Sequence, residues 1–233
     1  MRVAILIPTY NERENIEPLV RAIAAQLPAA QIAVIDDQSP DGTAQWVSEL
    51  QAAVPQLNLI LRTRERGFAP SYLDGFRWAL GGGFEAIVTM DADLSHDPKH
   101  LPMLVGALDS ADVAVGSRYV RGGGVQNWPL YRRAFSQAAN LVARVLTGVP
   151  VHDVTSGYQA YRRAVLEAIG FEDIRTNGYG FLFELKYRAH RKGFRIVEVP
   201  IVFVERRAGA SKLSRRHIFE ALWLVLRLFL FRR

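Results

Sequence analysis

The chain has 233 residues, which is enough to bury a sizeable core, and it contains no cysteine. The sequence therefore excludes disulfides, thiol nucleophiles and cysteine-ligated metal sites. A formal net charge of +6 favours anionic partners, which include nucleic acid, phosphorylated metabolites and acidic lipid. Between Arg206 and His217 there are five Arg or Lys residues and no acid, so we expect a basic, surface-associating C-terminus rather than a nucleic-acid-binding domain.

Short apolar segments alternate with helical patterns along the chain. Strands are predicted at Val3–Ile7, Ile32–Ile35, Leu57–Leu61, Glu85–Thr89, Val113–Val115 and Arg195–Val199. Helices are predicted after Asn11, up to about Leu50, at Ser71–Leu80 and at Phe181–Lys192. Met1 leads into the first strand without the basic leader of a signal peptide, so we expect the folded domain to begin there. The alternation predicts an α/β fold with a mostly parallel sheet flanked by helices.

Two acidic residues, Asp91 and Asp93, follow the fourth predicted strand, and Pro98 suits the first turn of the next helix. Open α/β sheets bind ligands at the carboxyl ends of their strands. Two carboxylates one residue apart chelate a hard divalent cation, which usually shares its other positions with phosphate oxygens and water. The alternative is that both are ordinary loop acids, since Asp is common in turns and caps.

Other polar side chains also follow predicted strand ends, and in a doubly wound sheet these positions share one edge with the Asp pair. They are Tyr10, Glu12, Asp36, Asp37 and Arg66. Carboxylates accept hydrogen bonds from base and ribose, and an arginine balances phosphate charge. Neither a G-x-G-x-x-G nor a G-x-x-x-x-G-K-[ST] motif occurs, which disfavours dinucleotide-binding and P-loop proteins.

The middle of the chain combines glycines with basic side chains. Three successive glycines at 122–124 predict a mobile loop of the kind that closes over a substrate. Arg132 and Ser136 lie four residues apart on a helix expected to begin near Pro129, so one face of that helix can hold a phosphate. A solvated basic face is the alternative. Glu184, on a later predicted helix, is either functional or paired with a nearby arginine.

The segment Ala221–Phe231 predicts an almost wholly apolar helix of eleven residues. Such a helix covers roughly 16 Å, about half of a ~30 Å hydrocarbon layer, so it cannot span a bilayer alone. Arginines bracket it on both sides, at 215–216 and 232–233. This pattern favours an amphipathic helix lying in a membrane interface beside anionic headgroups. A core helix or a dimer contact is the alternative.

Six motifs stand out along the chain. They are PTYNE at 8–12, DDQSPDGT at 36–43, DADLSH at 91–96, GSRY at 116–119, DVTSGYQAY at 153–161 and SKL at 211–213. Together they make nearly the whole chain resemble the family 2 glycosyltransferases of the GT-A fold. The first three give the class only. The last three more closely resemble the branch that transfers mannose to dolichyl or polyprenyl phosphate.

This resemblance implies a role for each matching residue. The nucleotide-sugar site would be formed by Pro8, Tyr10, Glu12, Asp37, Arg66 and Asp91. The metal, Mg²⁺ or Mn²⁺, would be held chiefly by Asp93, assisted by Asp91 and by Ser95, where the family commonly has Gln. The acceptor phosphate would be held by Arg118, Arg132, Ser136 and Arg206, with Lys212 helping to close that loop. Asp93, Arg118 and Arg132 would be the catalytic residues.

The implied reaction is an inverting transfer of mannose from GDP-mannose to dolichyl or polyprenyl phosphate. UDP-glucose or another nucleotide sugar is the alternative donor, because no motif separates guanine from uracil or mannose from glucose. A non-catalytic nucleotide- or nucleic-acid-binding module is a remote alternative, and the chain lacks the interleaved aromatic and basic residues of a strand-binding surface. We expect residues 1–213 to form the catalytic domain and residues 214–233 a helix that holds it peripherally at the cytoplasmic face of a membrane.

Overall fold

The computed structural model describes residues 1–176 and 178–204. The strands in these residues are β1 (Val3–Thr9), β2 (Gln31–Asp36), β3 (Leu57–Leu61), β4 (Ala86–Thr89), β5 (Val113–Ser117), β6 (Gly124–Gln126), β7 (Gln159–Arg162), β8 (Ile196–Pro200) and β9 (Val202–Val204). The helices are α1 (Arg13–Gln26), α2 (Thr43–Leu50), α3 (Phe68–Gly81), α4 (Leu101–Gly106), α5 (Leu130–Thr147), α6 (Arg163–Ile169) and α7 (Gly178–Arg191).

The main sheet has seven strands in the order β3-β2-β1-β4-β7-β5-β8. β7 runs antiparallel to β4 and β5, and the other neighbours are parallel, which confirms the mostly parallel sheet. The chain winds from β1 outward to β3 and then returns to place β4 on the other side of β1. A reversal of this kind opens a crevice at the carboxyl ends of the two strands. β6 and β9 form a separate parallel pair.

Apolar side chains cover both faces of the main sheet, which is why its parallel strands lack polar alternation. On one face, Leu6 of β1 belongs to a buried cluster with Tyr72 and Phe76 of α3. On the other face, Ile5 belongs to a cluster with Ile16 of α1. Because successive strand residues point to opposite faces, a single apolar strand contributes to both cores. The sheet is therefore a rigid support for the loops at its edge.

Two helices begin a few residues away from their predicted first residues. Asn11 has a φ of 60°, and its backbone N–H donates to Ser39 Oγ at 3.0 Å. Glu12 is therefore the N-cap, and α1 begins one residue later than an Asn11 cap would give. α3 begins at Phe68 rather than Ser71. The intervening Pro70 lies in the first helical turn, where no backbone N–H is needed.

Several elements of the described residues were not predicted from the sequence patterns, including β6, β7, β9 and α6. β7 has the sequence Gln-Ala-Tyr-Arg, which has no apolar run, and its position between β4 and β5 defines it as a strand. The glycine segment at 122–124 was predicted to be a mobile loop. It contributes Gly124 to β6, while Gly122 takes a φ of 90° in the preceding turn.

The predicted domain boundary at residue 213 and the predicted C-terminal helix lie outside the described residues. Within residues 1–176 and 178–204, none of the helices combines the length and the hydropathy needed to cross a membrane.

Candidate active site

Strands β1, β2, β3 and β4 are parallel and end at one edge of the sheet. The loops that follow them carry Tyr10, Asp37, Arg66, Asp91 and Asp93, which were predicted from their strand-end positions to share one site. The crevice between β1 and β4 lies at the centre of this edge, with Tyr10 on one side and the Asp91–Asp93 loop on the other. The five side chains form the first half of the candidate site.

The Asp91–Asp93 loop fixes its two carboxylates in different ways. Leu94 adopts a φ of 62°, and the chain turns there so that Ser95 reaches back to Asp93. Asp93 Oδ1 accepts from the Ser95 N–H at 3.1 Å and from Ser95 Oγ at 2.5 Å. Asp93 is buried, whereas the Asp91 side chain is 32% exposed. Asp93 is therefore fixed within the protein, whereas part of the Asp91 carboxylate is accessible from the crevice.

His96 stabilises this loop through a hydrogen bond and a ring contact. Its Nδ1 accepts the Asp91 N–H at 2.9 Å, and its ring stacks on Tyr158 with the centroids 4.9 Å apart. Because Nδ1 is an acceptor, the proton of the neutral imidazole lies on Nε2. Nε2 is 3.9 Å from Asp91 Oδ2. His96 therefore orients the backbone that carries Asp91.

The donor atoms of this loop suit a hard divalent cation, because two carboxylates approach from one short segment. In residues 1–176 and 178–204, no group of three or more His, Asp or Glu side chains is arranged to hold a metal ion. Ser95, expected from the resemblance to be a third ligand, directs its hydroxyl hydrogen to Asp93. A cation held by Asp91 and Asp93 would therefore complete its coordination with phosphate oxygens and water.

The side of the crevice that the resemblance assigns to the nucleotide sugar is built around Arg66 and Tyr10. Arg66 Nη1 donates to Tyr10 Oη at 3.0 Å, and its guanidinium lies 5.0 Å from the Tyr10 ring centroid. Arg66 Nη2 also donates to the Gln38 carbonyl at 3.3 Å. Pro8 is a half-buried residue of β1, and Glu12 caps α1 while accepting from Asn15 Nδ2 at 2.9 Å. These contacts place an exposed arginine charge beside an aromatic face.

Asp37 is less open than the resemblance implied. Its Oδ2 accepts the Gly67 N–H at 2.7 Å, and its Oδ1 pairs with Arg62 Nη1. Arg62 is buried and also binds Asp74 Oδ2 at 2.8 Å. Arg62 was not predicted from the sequence to be a site residue, although it directly follows β3 and lies four residues before Arg66. A buried arginine between two carboxylates fixes the loop that carries Arg66.

Arg118 and Asp153 form the centre of the region that the resemblance assigns to the acceptor phosphate. Arg118 Nε lies 2.7 Å from Asp153 Oδ2, and Nη2 lies 2.7 Å from Oδ1 and 2.9 Å from Thr155 Oγ1. The Asp153 carboxylate is fully buried. Burial alone would raise its pKa, but the charge and hydrogen bonds of Arg118 hold that pKa below its ordinary value. Asp153 therefore stays ionised and anchors Arg118.

Trp128 joins Arg118 to Arg132. The Arg132 guanidinium lies 4.2 Å and the Arg118 guanidinium 5.3 Å from the Trp128 ring centroid. Ser136, one helical turn after Arg132, accepts from the Tyr119 hydroxyl at 2.7 Å. The three residues that the resemblance assigns to the acceptor phosphate thus contact two aromatic side chains, with Arg118 and Arg132 on Trp128 and Ser136 on Tyr119. Trp128 and Tyr119 were missed, because no local pattern marks an aromatic residue that supports distant cations.

The segment 153–157 is here called the acceptor loop, because it holds the arginine predicted to bind the acceptor, and it contacts both parts of the candidate site. Asp153 at its start holds Arg118, and Gly157 at its end lies against the Asp91–Asp93 loop. A Cβ added at Gly157 would lie 3.7 Å from Asp91 Oδ1 and 3.5 Å from His96 Cε1. A bare backbone there permits close approach to Asp91. The acceptor loop thus connects the Asp91–Asp93 loop to the arginine pair.

Not every predicted residue joins this arrangement. Arg206 and Lys212 lie outside the described residues. Glu184 pairs with Arg188 at 2.7 Å and accepts from Thr176 Oγ1 at 2.8 Å. It is therefore the arginine-paired residue of the two alternatives, and a support for α7 rather than a part of the crevice.

Comparison with known proteins identifies the family. The profile of glycosyl transferase family 2 matches residues 4–170. The polyprenol monophosphomannose synthase of Mycolicibacterium smegmatis is 47% identical over 226 residues, which cover 96% of this chain and 85% of the relative. The undecaprenyl-phosphate mannosyltransferase of Micrococcus luteus is 43% identical over 221 residues, covering 95% of this chain and 91% of the relative.

A solved structure shows the same fold. The mannosyltransferase PcManGT from Pyrobaculum calidifontis, solved in complex with GDP-Man and Mn²⁺, superposes with a TM-score of 0.67 at 21% identity. The alignment covers 97% of this chain and 64% of that one. The profile match, the two relatives and the shared architecture agree with the motifs found along the chain, and the chain therefore belongs to glycosyl transferase family 2, with the GT-A fold.

Proposed function

We propose that this chain transfers mannose from GDP-mannose to the phosphate of dolichyl or polyprenyl phosphate, with inversion at the anomeric carbon. One observation carries the proposal. The acceptor loop meets Asp91 at Gly157 and Arg118 at Asp153, so a metal-binding pair and an arginine pair share one support. A site for two anionic substrates requires this juxtaposition, because their negative charges repel each other unless cations lie between them.

The relatives support the choice of acceptor and sugar. Two relatives above 40% identity are named for polyprenol monophosphomannose synthesis and for undecaprenyl-phosphate mannosyl transfer. The choice of GDP-mannose as donor is supported by the motifs and by the similarity to PcManGT, solved with GDP-Man. UDP-glucose is the alternative donor to be tested.

The donor half binds the nucleotide sugar. Tyr10, Arg66 and Asp37 line the nucleoside side of the crevice, and Arg66 supplies positive charge toward the diphosphate. Asp91 and Asp93 would hold Mg²⁺ or Mn²⁺. When bound, the cation supplies charge neutralisation for the departing diphosphate. The hydrogen bonds from Ser95 keep Asp93 in one orientation, so that its carboxylate needs no rearrangement when substrate arrives.

The acceptor half brings in the lipid phosphate. Arg118 and Arg132 orient it so that one oxygen faces the anomeric carbon of the donor. A bond then forms between that oxygen and the carbon, while the bond from the carbon to the β-phosphate oxygen breaks and GDP leaves with the bonding pair. A phosphate monoester is already an anion at neutral pH, so the step needs no strong general base. The arginines contribute proximity and charge compensation.

Helix α5 supports association with a membrane surface. Several of its large apolar side chains face solvent, including Leu130 at 82%, Tyr131 at 77% and Val145 at 68% exposure. The helix also carries three arginines and no acid, at Arg132, Arg133 and Arg144. Apolar and basic side chains on one helix favour an interface with anionic lipid. We propose that α5 lies against the membrane that holds the acceptor, together with the helix expected in residues 214–233.

A donor and acceptor comparison tests the function. The full chain in detergent is incubated with Mn²⁺ and polyprenyl phosphate, with radiolabelled GDP-mannose or UDP-glucose as donor. Unphosphorylated polyprenol is the matched control acceptor. We expect labelled lipid from GDP-mannose and polyprenyl phosphate only. Transfer from UDP-glucose alone would reject the donor, labelling of polyprenol would reject the phosphate acceptor, and no transfer from either donor would reject the function.

A further inference from the structure

Lys186 of α7 has no exposed surface, which is unusual because lysine is almost never fully buried unless it is paired. Its Nζ donates to the carbonyl of Ser156 at 3.0 Å. Ser156 belongs to the acceptor loop, and its N–H donates to the Asp153 carbonyl at 3.3 Å. The Ser156 carbonyl also accepts from Gln159 Nε2 at 2.5 Å. Lys186 therefore lies directly beneath the loop that anchors Arg118.

Three charged groups act on the Lys186 ammonium. They are Asp153 of the acceptor loop, Arg118 after β5, and Glu198 on β8. Glu198 accepts the Asp153 N–H at 3.0 Å, and its Oε2 lies 2.6 Å from His152 Nδ1. Burial and the charge of Arg118 lower the pKa of Lys186 to about 7, while Asp153 and Glu198 raise it. Lys186 is thus a titratable cation within the cluster that holds Arg118.

The charges of Asp153, Glu198 and Lys186 affect how strongly Arg118 attracts an anion. Asp153 binds Arg118 through both carboxylate oxygens, and such a pair alone is neutral. A neutral pair attracts a phosphate dianion weakly. Arg118, Asp153 and Glu198 together carry a net charge of −1, which a protonated Lys186 offsets while it draws part of the Asp153 field away from Arg118. Coulomb interactions of this kind are strong where water is excluded.

We propose that Lys186 is a positioning residue for the lipid phosphate: it holds the acceptor loop from beneath and compensates the charge of Asp153, leaving Arg118 electropositive toward the acceptor. This inference rests on the proposed function. Lys186 acts through the loop and Arg118, because it is buried and does not reach the crevice. Its effect should therefore be specific to the acceptor and absent from donor binding.

Lys186→Gln removes the charge and keeps a donor for the Ser156 carbonyl. Lys186→Met removes both, and a purely apolar side chain is tolerated at a buried position. The matched control is Arg188→Gln, which removes a cation from the same helix outside the acceptor-loop cluster, where Arg188 pairs with Glu184. The measurements are kcat, KM for polyprenyl phosphate and KM for the nucleotide sugar, with a thermal unfolding curve for each variant.

We expect both Lys186 variants to fold and to raise the acceptor KM about tenfold, with the donor KM unchanged, and Arg188→Gln to leave both values unchanged. The wild-type acceptor KM should also rise as pH increases above about 7, where Lys186 loses its proton, and this rise should be absent in Lys186→Gln. Unfolding of both variants, or equal changes in both KM values, would show a merely structural role and overturn the proposal.

Different results would reject the proposed function and the proposed role of Lys186. If the wild-type chain transfers no sugar to polyprenyl phosphate, the proposed function fails and the role of Lys186 falls with it. If the wild-type chain is active and the acceptor KM of Lys186→Gln matches the wild-type value at every pH, the role of Lys186 alone is rejected.

Discussion

Arg118 and Asp153 form a bidentate ion pair, with Nε to Oδ2 and Nη2 to Oδ1 both at 2.7 Å. The Arg118 backbone N–H adds a third bond to Asp153 Oδ2 at 3.0 Å. The two residues lie 35 positions apart, so this pair ties the turn after β5 to the acceptor loop. Side-chain exposure is 9% for Arg118 and 0% for Asp153, so little water screens the pair.

Replacing Asp153 with Asn should destabilise the fold, because a buried guanidinium then lacks its carboxylate. Breaking a buried pair of this kind costs about 3–5 kcal/mol of unfolding free energy. The folded-state pKa of Asp153 lies below 3.8, so its contribution to stability is complete above pH 3.8 and is lost as the pH falls through that lower pKa. Denaturant unfolding measures the first effect at neutral pH and the second effect at pH values below 3.8.

The control for this experiment is Asp109→Asn, which changes an exposed acid. We expect no more than a few tenths of a kcal/mol from it. If Asp153→Asn were as stable as wild type at neutral pH, the ion pair would not anchor Arg118 as described.

Ser95→Ala tests how Ser95 contributes to metal binding. Because Ser95 Oγ donates to Asp93 Oδ1 at 2.5 Å, its loss should free the carboxylate to rotate and weaken Mn²⁺ binding about tenfold. Activity at saturating Mn²⁺ should return close to the wild-type value. A Mn²⁺ titration of the transfer rate gives both quantities. A loss of kcat that excess Mn²⁺ does not restore would instead favour Ser95 as a direct ligand.

Gly75 allows α3 to lie close to the sheet. A Cβ at this position would come within 2.6 Å of Ile35 Cδ1 and 3.0 Å of Leu6 Cδ1, and both side chains are fully buried. Gly75→Ala should therefore lower the unfolding free energy by about 1–3 kcal/mol through overpacking. Gly81→Ala on the same helix is the control, since its Cβ would meet nothing within 4 Å. Equal thermal midpoints for the two variants would contradict the close contact.

The solvent-facing apolar side of α5 should contribute to membrane binding. Changing Leu141 and Val145 together to Asp places two anions where 55% and 68% of these side chains are exposed. We expect at least about a tenfold loss of binding to anionic liposomes, because apolar burial and attraction to lipid charge are both reduced. Met103→Asp on α4 is the control, with 46% exposure. Co-sedimentation that is unaffected by the double change would show that α5 does not face lipid.

The strand-end residues of the donor half could be predicted from sequence because parallel strands finish at one edge. Tyr10, Arg66, Asp91 and Asp93 follow from that rule alone. The partners of these residues could not be predicted, because contacts such as Arg62 with Asp37 and Arg118 with Asp153 join segments 25 and 35 residues apart. No periodicity encodes such pairings.

Contacts between residues distant in sequence also explain why some strands were not predicted. β7 is an antiparallel strand inserted between β4 and β5, and its pairing rather than its composition makes it a strand. In the sequence, Lys186 is an ordinary polar position of a helical pattern. Its burial and its bond to the acceptor loop appear only in the folded structure. Long-range packing, which local sequence does not specify, determines the chemistry of both regions.

The central claim is a metal-dependent transfer that relies on Asp93. Purified wild-type chain and Asp93→Ala are incubated with GDP-mannose, polyprenyl phosphate and Mn²⁺, and the lipid is analysed by mass spectrometry, with thermal unfolding to confirm the fold of the variant. We predict that wild type adds one hexose to the lipid phosphate, that chelation of the metal stops the reaction, and that folded Asp93→Ala is at least about a thousandfold slower. Equal hexose transfer by wild type and Asp93→Ala, or transfer that persists after chelation, would contradict it.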